Sequence, residues 1–171
     1  FNTGASGPAP NRVIDAATEF QRYQESDALT GGEGAYGSAY RVFDETHEAV
    51  EEFVGADEDE IALTQSTADG VSTVAAAIDW EPGDVVVRTD LEHSAGIIPW
   101  WNRREQGVEV EVLETSEGRI DMDDLAEAVD GARLLCLSSI TWNYGTELPI
   151  SDIVDVVNDA GGEVLVDAVQ T

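Results

Sequence analysis

Short apolar runs alternate with amphipathic stretches along the chain from about residue 60 onward. Continuous apolar runs are typical of buried parallel strands, whereas apolar positions at helical spacing are typical of helices. The pattern predicts strands over 61–64, 84–88, 108–113, 133–138 and 163–167. It predicts helices over 67–78, 95–106, 121–129 and 151–160, the last two with Asp121 and Ser151 as N-caps. This alternation favours an α/β fold, with a mostly parallel sheet that carries helices on both faces.

The first 55 residues follow a different pattern, which predicts an N-terminal helical arm. Helices are predicted over 12–23 and 40–54, separated by a glycine-rich loop over 31–37. We therefore expect an N-terminal arm and small-domain segment over 1–55 and a large domain over 56–171. Because the chain opens without methionine and stops just after an apolar strand, we expect it to be the N-terminal part of a longer polypeptide.

The chain is strongly acidic. Asp and Glu number 36 against 8 basic residues, all arginine, which gives a net charge of −28. A hydrophobic content of 42% is enough for a core, which argues against a disordered acidic tail. A surface of this sign disfavours nonspecific binding to nucleic acid or to an anionic membrane, so we expect neither partner. The most apolar stretch, 71–78, is too short to span a bilayer.

The acidic residues are scattered over predicted helix faces, and lysine is absent. High salt screens the self-repulsion of such a surface, so we favour a halophilic, haloarchaeal source over an ordinary acidic protein. No signal-peptide pattern is visible, and the single cysteine, Cys136, cannot form an internal disulfide. Both observations fit a cytoplasmic protein. Cys136 lies within an apolar strand and is expected in the core, and no metal site is expected from two separated histidines and one cysteine.

A hydroxyl-rich segment joins a predicted strand to a predicted helix at residues 64–70. Free N–H groups at a helix start, with the hydroxyls of Ser66 and Thr67 beside them, can bind a phosphate. The alternative is that one of these residues only caps its own helix. The lysine-containing Walker A motif and the GxGxxG motif are both absent, so the common nucleotide sites are not indicated.

Two further polar positions follow predicted strands. His93 comes just after the strand at 84–88, where open α/β sheets bind ligands, although it could equally be a loop residue without a role. Asp167 ends the strand at 163–167, and a buried carboxylate there requires a partner. That partner is either a cation or the backbone of a following helix that Asp167 would cap.

Five short motifs occur in a fixed order along the chain. They are Asn2–Pro8; Ser66 with Thr67; Glu92 and His93 with Pro99 and Trp100; Gly145 and Thr146 with Pro149; and Asp167 with Gln170. In this order and spacing the chain resembles the class V aminotransferase family. This family is the pyridoxal-phosphate (PLP) fold type I group that includes cysteine desulfurases and selenocysteine lyases.

The resemblance implies a PLP site. Ser66 and Thr67 would hold the cofactor phosphate, and His93 would stack on the pyridine ring and act as the catalytic residue. Asp167 would pair with the ring nitrogen and Gln170 would hydrogen-bond the phenolic oxygen. The substrate carboxylate would lie near Gly4, Ala5 and Ser6.

The resemblance also implies a reaction and an assembly. The parent enzyme would act on an amino acid through an external aldimine, by transamination or β-elimination, as a homodimer. Two positions depart from desulfurases, because Gly96 and Trp142 stand where those enzymes usually carry asparagine. The chain also lacks the lysine that forms the Schiff base. The alternatives are an α/β domain that binds another phosphorylated ligand and a non-catalytic homologue that acts as a binding partner.

Overall fold

The computed structural model describes residues 7–171, which form two compact units, residues 7–63 and residues 64–171. The division of the chain into domains at residues 1–55 and 56–171 stays a prediction. None of the helices within residues 7–171 is both long and apolar enough to cross a membrane.

Residues 7–63 are helical. Helix α1 spans Asn11–Glu25 and helix α2 spans Gly34–Val54, with short 3₁₀ turns at Asp27–Leu29 and Glu58–Glu60. The amide of Gln24 links the two helices, because it donates hydrogen bonds to the buried hydroxyl of Ser38 at 2.6 Å and to the carbonyl of Ala35 at 3.1 Å.

Helix α2 begins six residues before the predicted start at residue 40. The stretch from 31 to 37 was expected to be a loop because it holds four glycines. Only the first three take positive φ values, and Gly37 lies within the helix, where a glycine costs about 1 kcal/mol relative to alanine. Glycine content alone therefore overestimated the loop.

Residues 64–171 contain a four-stranded parallel sheet. The strands are β1 (Val85–Thr89), β2 (Glu109–Leu113), β3 (Leu134–Ser138) and β4 (Glu163–Asp167), in the order β2-β1-β3-β4. Their parallel pairing confirms the predicted α/β fold. The chain leaves β1 toward one edge of the sheet and returns past it to β3, and ligands bind at the carboxyl ends of strands beside such a reversal.

Four helices follow or precede these strands: α3 (Thr67–Ala77), α4 (Ile98–Trp101), α5 (Met122–Ala128) and α6 (Ile150–Asp159). They cover both faces of the sheet, as predicted. One core cluster contains Val71, Ala75, Val86, Trp100, Leu134 and Cys136. The other contains Val87, Leu125, Val129, Leu135, Leu137, Ile153 and Val157.

Two predicted elements were wrong. Residues 61–64 have no regular structure, and no strand within residues 7–171 pairs with them. The expected helix over 95–106 is instead a 3₁₀ turn at Ser94–Gly96, the short helix α4, and a second turn at Arg104–Gln106. The lack of an N–H group on Pro99 prevents one continuous helix through this segment.

The two predicted N-caps had different outcomes. Asp121 caps α5, since its carboxylate accepts hydrogen bonds from the N–H groups of Asp123 at 2.9 Å and Asp124 at 3.4 Å. The prediction for Ser151 was wrong, because α6 begins one residue earlier, with Pro149 at the capping position. Helix α6 therefore begins without a side-chain cap.

Candidate active site

A cavity of about 470 Å³ opens at the carboxyl ends of β1, β3 and β4. Its volume lies within the range of small-molecule sites. All five candidate residues that the structure describes line it: Ser66, Thr67, His93, Asp167 and Gln170. The remaining lining comes from Ala68, Ala95, Ser138, Ile140, Trp142 and Val169. The predicted substrate residues Gly4, Ala5 and Ser6 lie outside the described residues.

The start of helix α3 forms one wall of the cavity. Ser66 is the N-cap, and its hydroxyl accepts a hydrogen bond from the N–H of Asp69 at 3.2 Å. The carboxylate of Asp69 in turn accepts from the N–H of Gln65 at 3.2 Å. The N–H groups of Thr67 and Ala68 have no acceptor within residues 7–171. Ser66 therefore caps the helix, and two N–H donors stay available to an anion.

His93 follows β1 and has an exposed imidazole. Its Nδ1 accepts a hydrogen bond from the N–H of Ala95 at 3.4 Å, which places the proton of the neutral ring on Nε2. The ring of Trp142 meets it edge to face, with ring centroids 5.8 Å apart and an interplanar angle of 86°. These contacts fix the direction of the imidazole at the cavity.

Asp167 ends β4 and is half-buried. Its Oδ1 accepts a hydrogen bond from the N–H of Val169 at 3.0 Å, so it stabilises the turn that leads to Gln170. Within residues 7–171 no arginine lies within ion-pair distance of it. The predicted cationic partner is therefore not supplied by the described chain, and the carboxylate remains available to a cation in the cavity.

Glu92 is a buried acid that sequence reasoning noted only as the neighbour of His93. It is 5% exposed, and its two oxygens accept hydrogen bonds from the hydroxyls of Thr89 at 2.5 Å and Ser138 at 2.7 Å. Burial raises the pKa of this carboxyl, while the two hydroxyl donors act to lower it and the charge of Asp167 adds to the increase. The one available signal was its position three residues after the end of a buried strand, next to His93.

Cys136 lies in the core, as predicted. It is fully buried on β3, and burial raises the pKa of its thiol to about 12. A thiol of this kind is a poor nucleophile. Within residues 7–171 no cluster of three His, Cys, Asp or Glu side chains is arranged to bind a metal ion.

Comparison with known structures and sequences finds the same kind of relative in both. A solved structure of a C-DES variant with glycine covalently linked to the PLP cofactor superimposes with a TM-score of 0.90, at 25% identity over 100% of this chain and 46% of that one. The apo cysteine desulfurase of Thermococcus onnurineus superimposes with a TM-score of 0.82, at 23% identity over 98% of this chain and 43% of that one. The second likeness is one of fold.

Curated sequences agree. A probable cysteine desulfurase of Methanothermobacter thermautotrophicus is 34% identical over 100% of this chain and 43% of its own length. One from Halobacterium salinarum is 30% identical over 99% of this chain and 43% of its own length. The chain thus spans less than half the length of these relatives. The sequence model of the family described as aminotransferase class-V matches residues 1–171, and the chain belongs to that family.

Proposed function

We propose that the protein containing this chain is a PLP-dependent enzyme that acts on an amino acid, with cleavage of a bond from Cβ to sulfur as its reaction. The observation that carries the proposal is the convergence of Ser66, Thr67, His93, Asp167 and Gln170 on one cavity. The names of the relatives, cysteine desulfurase and cystine C–S lyase, favour elimination over transamination.

The residues of the cavity fit PLP. A phosphate needs donors, and the unpaired N–H groups of Thr67 and Ala68 at the start of α3 provide them. A protonated ring nitrogen needs a carboxylate, and Asp167 has no arginine partner within residues 7–171. A planar aromatic ring needs a flat neighbour, and His93 offers one that Trp142 braces.

When bound, PLP supplies an electron sink for a carbanion at Cα of the substrate. The residues of this chain prepare that chemistry. Asp167 would keep a proton on the ring nitrogen, and Ser66 with Thr67 would hold the phosphate. His93 would pack against the ring, and it is the histidine of the cavity lining.

Two groups needed for turnover lie elsewhere. The chain has no lysine, so these 171 residues do not supply the Schiff-base lysine of the family. Cys136 is fully buried and does not line the cavity, so it is not the acceptor of a sulfur atom released from the substrate. Gly4, Ala5 and Ser6 remain our candidates for the substrate carboxylate.

We extend the proposal to the surroundings of the enzyme. We propose a cytoplasmic homodimer that requires high salt and binds neither nucleic acid nor membrane. The support for salt dependence is that, within residues 7–171, Arg41 makes the only ion pairs, with Glu33 and Glu45, while 36 acidic residues occur in the chain.

The test uses the full-length protein, purified in high salt and supplied with PLP. We expect a visible absorbance band that borohydride abolishes, together with release of sulfide or persulfide from cysteine or cystine. Asp167→Asn should lower kcat by roughly a hundredfold because an electrostatic contact to the reacting system is lost. Asp155→Asn, which changes an exposed acid of α6, is the matched control.

The other outcomes discriminate among rival functions. Keto acid formation without sulfur release would replace elimination by transamination. Binding of phosphate esters without a visible band would favour a different phosphorylated ligand. The lysine-free sequence makes a non-catalytic homologue the second candidate, and PLP binding that borohydride does not fix, with no turnover, would favour it.

A further inference from the structure

Glu92 is buried next to His93 and hydrogen-bonded to Ser138, both of which line the cavity, and none of the cofactor contacts proposed above uses it. Its carboxylate joins two strands, because Oε1 accepts from the hydroxyl of Thr89 on β1 and Oε2 accepts from the hydroxyl of Ser138 on β3. Ser138 also lines the cavity and lies opposite Asp167 in the register of β3 and β4. One buried side chain therefore connects the ends of the strands that carry the site.

A carboxylate in this place is costly. It is 5% exposed, and within residues 7–171 no arginine lies within ion-pair distance of it. Two hydroxyl donors offset only part of the desolvation of a charged group. A buried carboxylate without a cation is not an efficient source of stability, and its geometry points to a different role.

The geometry around Glu92 leads directly to His93. His93 is the next residue in the chain. The Nδ1 atom of its imidazole accepts a hydrogen bond from the N–H of Ala95 at 3.4 Å. The turn Ser94–Gly96 closes over the carboxylate, since a Cβ at Gly96 would lie 3.5 Å from Oε2 of Glu92 and 3.7 Å from Sγ of Cys136. His93 thus lies in sequence between Glu92, whose side chain is anchored, and the turn closed by the hydrogen bond from the N–H of Gly96 to the carbonyl of His93 at 2.9 Å.

We propose that Glu92 is a positioning residue that aims His93 into the cavity by clamping the hydroxyls of Thr89 and Ser138. The inference rests on the proposed function only in that His93 is taken as the residue that packs against the cofactor ring. Glu92 itself does not touch the cofactor or the substrate. Because the side chain of Glu92 bonds hydroxyls on two strands, its length matters as well as its polarity.

Two substitutions separate length from charge. Glu92→Gln keeps the length, and its amide can still bond both hydroxyls because each hydroxyl can donate or accept. Glu92→Asp keeps the charge but is one methylene shorter and cannot reach both hydroxyls. We therefore expect Glu92→Gln to preserve the orientation of His93 and Glu92→Asp to lose it. Glu111→Gln, at an exposed position of β2, is the control for loss of a carboxyl.

The first readout is nitrogen NMR of labelled histidine in the cofactor-free full-length protein, with the His93 signal assigned from its absence in His93→Gln. In the wild type and in Glu92→Gln we expect the neutral ring to hold its proton on Nε2. In Glu92→Asp we expect a shift toward the tautomer mixture of a free imidazole. The second readout is the Kd for PLP, expected to rise roughly tenfold in Glu92→Asp and to stay within about twofold in Glu92→Gln.

A merely structural role predicts a different result. In that case Glu92→Asp would unfold more easily, but its folded fraction would show an unchanged His93 signal, and this result would overturn the proposal. If Glu92→Asp does not fold, Thr89→Val removes one of the two bonds and should give the same shift in smaller measure. The NMR readout needs no cofactor, so it tests Glu92 even if the full-length protein does not bind PLP.

Discussion

The indole of Trp142 meets the imidazole of His93 edge to face, with ring centroids 5.8 Å apart. Trp142 is half-exposed and lines the cavity, so it restrains His93 without being part of the core. Aromatic pairs of this geometry contribute about 0.5–1.5 kcal/mol beyond burial. We expect Trp142→Ala to weaken PLP binding by roughly three- to tenfold, measured by equilibrium titration of the full-length protein.

Trp142→Phe is the informative companion, since it keeps an aromatic edge near His93 and should retain most of the affinity. Trp101 is also half-exposed but lies outside the cavity lining, so Trp101→Ala controls for loss of a surface indole. Equal affinities for wild type and Trp142→Ala would show that the contact does not restrain His93.

Cys136 should be inert in the folded protein. Its thiol is fully buried, and burial raises its pKa to about 12, so almost no thiolate forms at neutral pH. We expect Cys136→Ser to leave the number of thiols that react with a maleimide unchanged under native conditions. In denaturant the same variant should react at one site fewer than the wild type. A native difference of one site would contradict the burial.

The free energy of unfolding should depend on pH through the titration of Glu92. Burial raises the pKa of this carboxyl in the folded state, so the folded protein binds its proton more tightly than the unfolded chain does. The resulting contribution to stability is fully present below the unfolded pKa and is lost as pH rises through the folded pKa. We expect the free energy of unfolding of the wild type, relative to Glu92→Gln, to fall as the pH rises from the ordinary pKa of a glutamate through the raised pKa of the folded state.

Urea titrations of both proteins at several pH values in constant high salt measure this difference, and titrations that other carboxyls share cancel in the subtraction. A difference that rises with pH would mean that the carboxylate is favoured in the folded state, against the burial described above.

The cap of α5 offers a local test of stability. Asp121→Ala removes an acceptor for the N–H groups of Asp123 and Asp124, so we expect a loss of about 1 kcal/mol in the free energy of unfolding. Asp130→Ala changes an exposed acid just beyond the other end of the helix, where negative charge is unfavourable, and should have no destabilising effect. Chemical denaturation of the two variants side by side distinguishes the cap from loss of charge.

Salt should decide whether the chain folds. With a net charge of −28 and ion pairs only at Arg41 within residues 7–171, self-repulsion is largely uncompensated in dilute buffer. We expect the circular dichroism signal of helix and sheet to be lost near about 0.1 M KCl and restored near about 3 M KCl. An equal signal at both concentrations would argue against salt adaptation.

The central strands β1 and β3 could be predicted from the sequence because both of their faces are largely buried. Val85, Val86 and Val87 form an apolar run with no competing helical spacing, and they lie in β1. The run at 61–64 looked similar, but its Leu63 is 38% exposed and no partner strand adjoins it within residues 7–171. A strand depends on neighbours distant in sequence, which a local pattern does not contain.

Part of the site could also be predicted from the sequence. His93 and Asp167 were found because polar residues at the ends of parallel strands converge on one edge of the sheet. Glu92 was not assigned a role, because glutamate is usually exposed and the donors that permit its burial include Ser138, 46 residues away. Membership of the family could be inferred from the ordered motifs. The buried hydrogen bonds of Glu92 became visible only in the three-dimensional structure.

The hydrogen bond between Glu92 and Ser138 also has a consequence for folding during synthesis of the chain. It closes a loop of 46 residues, whereas the bond between Glu92 and Thr89 spans only three. The entropy cost of closing this loop is compensated only when β1 and β3, which are neighbours in the sheet but separated in sequence by β2, have already paired. A nascent chain therefore cannot form the buried hydrogen bonds of Glu92 until residue 138 has emerged and paired, and the cavity is complete only when Asp167 and Gln170 have followed. Any ligand of the cavity then binds the native state alone and draws folding toward completion by mass action.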